Sequence, residues 1–218
     1  MGITIPTIAA IATATSIGST FLHTVLTPIP ANKAPNYDSL VTIQHELNEN
    51  AHSVFSLHGG EFRLLTLMLT PVNYIQISSE TFHAPPQLPT VAPLILAMAT
   101  AQDILKLQCE CHEAQVSFRV FLDTDAALRK LLLAAIPHEY LSPLEDPMHS
   151  FAKISCHELL DHLWMTYGTI TATKLPVNLD TFAQPWNTSE SLSAVFCHMD
   201  KCMCYAKKGK NSITDMMA

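Results

Sequence analysis

The chain has 218 residues, 48% of them apolar and 14% charged, with a formal net charge of −7. That apolar share can bury a sizeable core, which excludes a globally disordered chain. Only six glycines are present, which argues against glycine-rich nucleotide-binding turns, and the acidic balance argues against a domain that grips nucleic acid with its own surface.

Residues 1–27 contain no Lys, Arg, Asp or Glu. The run is long enough to span a bilayer. Threonines, Pro6, Gly18 and His23 dilute it, however, and it lacks the basic start of a signal peptide. Gly2 fits the start of a myristoylation motif, but Pro6 stands where that motif takes Ser or Thr. The expectation is a weakly structured leader over residues 1–36 without membrane contact, ending in a linker marked by Pro28, Pro30 and Pro35.

Residues 37–51 read as a first helix. Leu40, Ile43 and Leu47 recur at helical spacing, and Asp38 or Ser39 can cap the N-terminus. Gly59 and Gly60 then break the chain. The apolar run 62–69 fits a buried strand or a helical turn equally well. Thr70 as N-cap with Pro71 in the first helical position predicts a short helix through Tyr74 and Ile77. Pro85, Pro86, Pro89 and Pro93 predict an extended loop over residues 83–93.

Residues 94–136 hold neither proline nor glycine. Leu128, Leu131, Leu132 and Ala135 form an apolar stripe, which predicts one long helix, or two with a break at residues 123–125. Pro137 ends it. A further helix is predicted over residues 151–167, with Leu159, Leu160, Leu163, Trp164 and Tyr167 as its stripe and Gly168 as its stop. A segment from Thr171 toward Phe182 is interrupted by Pro176. A last helix over residues 190–205 is capped by Ser189 or Ser191. The pattern is all-α: a helical bundle with a proline-rich loop and room for one short strand or hairpin. It divides into the leader, a helical domain over residues 37–206 and a basic flexible tail over residues 207–218.

Three constellations resemble chemical sites. His157-Glu-Leu-Leu-Asp161-His162 approaches the metalloprotease helix, which needs two histidines four residues apart on one face. Here Asp161 holds that place, and His162 is turned away at about 100° per residue. Cys109, Cys111 and His112 lack a second ligand pair. Cys197, His198, Cys202 and Cys204 do not follow the zinc-knuckle spacing and fall on a stripe with Leu192, Val195, Phe196 and Met199. No catalytic, cofactor-binding or metal-ligating residue is therefore assigned. The six cysteines are irregularly spaced, and the expectation is free thiols in the cytoplasm. Walker, nucleophile-elbow and dinucleotide-binding motifs are all missing from the sequence. The reading is non-enzymatic, with no cofactor and no small-molecule substrate. A zinc hydrolase built on His157 and Asp161 is the weaker rival.

The stretch over residues 159–171, Leu-Leu-Asp-His-Leu-Trp-Met-Thr-Tyr-Gly-Thr-Ile-Thr, resembles part of the Gag-type proteins of copia-like retrotransposons. The parts follow in the family's order: Tyr167-Gly168-Thr169-Ile170, Asn178-Leu179, Pro185-Trp186 and Cys204-Tyr205-Ala206. Upstream, residues 125–137, Tyr37 to Leu40, Glu46 to Ala51, and Thr70 to Tyr74 also fit. The likeness runs from about Asn36 onward. It implies a capsid-like, self-associating structural role around element RNA, from a truncated copy, with Lys174 and Pro176 shortening one helix. RNA contact would come from the C-terminal lysines Lys201, Lys207, Lys208 and Lys210. Phe196, Met199 and Met203 on the last helix are candidates for an assembly face, although packing inside the chain is the first expectation. A helical adaptor that binds a partner segment is the alternative reading.

Overall fold

The computed structural model describes residues 17–55, 60–84, 86–87, 100–170, 174–185, 189 and 191–209. The expectations for residues 1–16, Gly59, Pro85, Pro89, Pro93, the start of the long helix at 94, Thr171, Trp186, Glu190 and residues 210–218 lie outside them. Six α-helices form among the described residues: α1 (Tyr37–His52), α2 (Pro71–Ser78), α3 (Ala101–Ala135), α4 (Cys156–Tyr167), α5 (Lys174–Phe182) and α6 (Leu192–Lys208). The one β feature among them is an isolated antiparallel bridge between Asp146 and Ser150. The fold is all-α.

Local hydrogen bonding decides where the helices start. Asn36, not Asp38 or Ser39, caps α1: its side chain accepts from Ser39 N at 3.1 Å, and Ser39 Oγ accepts from Asn36 N at 2.9 Å. Such a reciprocal box satisfies two of the first-turn donors that a helix leaves unpaired. The same device sets Thr100 against Asp103 at α3 and Ser155 against Glu158 at α4. α4 therefore begins at Cys156 and not at Phe151. The ambiguous run resolves as a 3₁₀ turn, Arg63–Leu67, with Leu64, Leu65 and Leu67 buried. Pro176 does not interrupt α5. It is the third residue of that helix, where its missing N–H would have no helical partner.

α3 runs unbroken through residues 123–125. Thr124 is fully buried and turns its hydroxyl back to Val120 O at 2.7 Å. Asp125 Oδ1 accepts from Cys156 N at 3.0 Å, which ties α3 to the start of α4. Leu40, Ile43 and Leu47 of α1, Leu128 and Leu132 of α3, and Leu159, Leu160 and Leu163 of α4 meet in one core. Each such side chain contributes roughly 1.5–3 kcal/mol through burial.

From Phe21 on, the expected weakly structured leader is part of this body. Phe21, Leu26 and Ile29 are buried in the same core. His23 N donates to Asn50 Oδ1 at 2.7 Å, Asn50 Nδ2 donates to His23 O at 2.8 Å, and Ile29 N donates to Ala135 O at 2.8 Å. Residues 21–30 thus form a strap across α1 and the end of α3. α5 and α6 make a smaller cluster of their own, in which Cys202 and Ala206 pack on Leu179 and Phe182. Asn178 Nδ2 fastens the pair by donating to Cys202 O at 2.9 Å. Tyr205 joins α6 to the start of α1 through an edge-on contact with Tyr37, 5.3 Å between centroids.

Candidate interaction surfaces

An open cleft of about 700 Å³ lies between α1, α4 and the end of α6. Leu160, Met68 and Leu69 give it an apolar floor, and Trp164 and Tyr37 stand in its wall. The two rings meet edge-on at 5.7 Å. Trp164 Nε1 donates to Gln44 Oε1 at 3.1 Å, a bond that fixes the indole while leaving it half-buried. Gly168 permits this arrangement: a Cβ there would lie 2.5 Å from the Trp164 ring and 2.6 Å from its carbonyl oxygen. The glycine has φ −75°, so contact with Trp164 is the constraint, not the left-handed geometry expected of a helix stop.

His157 and Asp161 lie on the rim, with His157 Nε2 3.3 Å from Asp161 Oδ2. His157 Nδ1 is buried without a hydrogen-bond partner. His162 faces elsewhere, its Nε2 3.2 Å from Tyr140 O, as the helical spacing requires. The neighbouring Cys156 thiol is fully buried. Burial, with Asp125 beside it, pushes its pKa far up and leaves it an inert apolar packing group. Tyr37 and Tyr205 are also held above the usual phenol value, first by burial and then by Asp38, so both stay neutral.

The cysteine constellations disperse. Cys109 is exposed and Cys111 half-buried on α3. On α6, Cys197 and Cys204 are exposed, while Cys202 packs against α5 with its Sγ 3.8 Å from His198 Nε2. That ring nitrogen is 3.2 Å from Thr181 O, which makes His198 a contact to α5 that its spacing alone did not reveal. No group of three His, Cys, Asp or Glu among the described residues is placed to hold a metal ion.

The expected stripe on α6 divides. Cys202 and Ala206 face α5, but Leu192 and Phe196 are 61% and 62% exposed and Met203 is 44% exposed. Packing inside the chain, the first expectation for Phe196 and Met203, is not what the fold does with them. Met199 is half-buried. Lys207 and Lys208 form the last turn of α6 and are helical, where a flexible tail was expected from 207. Cations there suit the negative end of the helix dipole.

No family model, no curated protein and no solved structure matches this chain. Among the described residues, no helix is long and apolar enough to cross a membrane.

Proposed function

We propose that this chain is a non-enzymatic, self-associating structural protein of the Gag or capsid type, from a copia-like retrotransposon. The observation that carries the reading is the outer face of α6, where Leu192, Phe196 and Met203 stand exposed on a helix whose other face is already packed on α5. Shells assemble through repeated contacts between small helical bodies, and such contacts need apolar helix faces in place of catalytic groups. The ordered likeness from Asn36 to Ala206 supports the same reading. A cytoplasmic setting suits it, since free thiols persist there. RNA contact is assigned to Lys201, Lys207, Lys208 and Lys210.

Multi-angle light scattering across a concentration series, with and without added RNA, tests the proposal. The expected result is a mass above monomer that grows with concentration. A strict monomer at high concentration with RNA present would sink it. The cleft beside Trp164 favours the second reading, an adaptor that binds a partner segment in a groove. A protein that stays monomeric but captures an apolar peptide, with a change in Trp164 fluorescence, would select the adaptor.

A further inference from the structure

One side of α6 is packed on α5 through Cys202 and Ala206. Leu192, Phe196 and Met203 stand exposed on another. At 3.6 residues per turn these three fall within about 40° of one another, and Asp200 and Lys207 border the strip along one edge. Asp200 and Lys207 are seven residues apart, about 10 Å along the axis. Both are exposed, and neither has an ion-pair partner among the described residues.

The cleft beside Trp164 has the matching features. α4 runs along it from His157 to Gly168, over a floor of Met68, Leu69 and Leu160. Its two permanent charges are of opposite sign and lie apart. Asp161, more than half exposed, stands seven residues before Gly168, again about 10 Å of helix. Lys208 stands toward the other end, where a Cβ on the adjoining Gly209 would come within 3.3 Å of Ile170. It too is exposed and without an ion-pair partner among the described residues.

We infer that this cleft receives α6 of a second copy, with the apolar strip turned to the floor. The second copy's Lys207 lies on Asp161, and its Asp200 on Lys208. Its Met203, between those two, meets Leu160 and Met68, and its Phe196, beyond Asp200, covers Ile170. An exposed aromatic side chain entering an apolar hollow is the usual anchor of such a contact. The reverse direction would set Asp200 on Asp161 and Lys207 on Lys208, like charge on like, so the charges fix the direction of the incoming helix. An apolar segment lacking that pair of charges would fill the floor and leave Asp161 and Lys208 unmatched. Strip and cleft occupy different parts of the chain, so every copy offers both, and the contact repeats from copy to copy. Lys207 and Lys208 are then engaged, while Lys201, about 140° round α6 from Phe196, stays open to RNA.

The inference rests on the self-association proposed above and deepens it by naming the contact. Sedimentation of the full chain over a range of concentrations separates the two. Asp161→Lys and Lys207→Glu should each weaken association roughly tenfold or more. The chain carrying both should return to the wild-type range, because opposite charges meet again, and a folding defect would not be repaired in that way. Failure of the pair to restore association would overturn the contact. Phe196→Asp and Asp161→Lys chains, each monomeric where wild type associates, should form a dimer when mixed, since the first keeps a sound cleft and the second a sound strip. Loss of association in Phe196→Asp with none in Asp161→Lys would mean that α6 meets another surface, which overturns the contact and leaves self-association intact. A wild-type monomer at every concentration would overturn both. Trp164 and Trp186 are the two tryptophans. In a chain carrying Trp186→Phe, emission should therefore change as the chain associates, and association without that change would place the contact away from the cleft.

Discussion

Asp125 carries the junction of α3 and α4 on one carboxylate. It accepts from Cys156 N at 3.0 Å and has Arg129 Nη1 3.8 Å away, while Arg129 Nη1 also donates to Ile154 O at 2.7 Å. Burial raises the Asp125 pKa, and the bond from Cys156 and the Arg129 charge oppose that rise only in part. A carboxyl raised on folding binds its proton more tightly in the folded state. Its contribution to stability is thus fully present below the unfolded-state value and is lost as pH rises through the folded one. Urea unfolding should therefore show wild type gaining on Asp125→Asn as pH falls from 7 toward 4. A constant gap between the two would contradict this. Asp125→Ala is expected to be worse at every pH, by about 1–3 kcal/mol, because it orphans the buried Cys156 N–H.

Among the helices, α4 shows what sequence reading could and could not reach. Its stripe of Leu159, Leu160 and Leu163 was legible from spacing, and all three are buried. Its start was not, because Phe151 and Ile154 extend the apolar rhythm upstream although they sit in a turn. The hydrogen bonds between Ser155 and Glu158 place the boundary. The cleft was also illegible. Trp164 and Gln44 are 120 residues apart, and periodicity holds no information about which distant helix a face will meet. Gly168 was legible as a stop but for the wrong reason, since its role is to leave room for Trp164. Gly168→Ala should consequently displace the indole, break its bond to Gln44 and destabilise the protein by about 1–3 kcal/mol through overpacking. Thermal unfolding measures the loss, and intrinsic fluorescence reports the indole. An alanine variant with unchanged Tm and emission would show that the approach is not restrictive.

At the scale of the whole molecule, the strap over residues 21–30 decides how the body closes. Thr27 donates to Glu46 through both its backbone N–H and its hydroxyl, and the His23 ring bonds Glu49, which also faces His45. Asn50, fully buried, grips His23 through both its backbone N–H and its carbonyl. The same segment presses the apolar Phe21, Leu26 and Ile29 into the core. The bond from His23 keeps the Glu49 carboxyl below its usual range, with the His45 and His23 charges adding to it. That contribution is present above the unfolded-state value and lost as pH falls through the lowered folded one. Acid should accordingly loosen the strap. Asn50→Ala should do so at neutral pH, removing two buried bonds and about 1–3 kcal/mol. Hydrogen exchange separates a local from a global effect. Faster exchange confined to residues 21–30 is expected, with α1 and α4 still protected, because the helices keep their own ladders and their shared leucine core. Uniform loss of protection would instead make the strap inseparable from that core, and Asn50 a part of global stability.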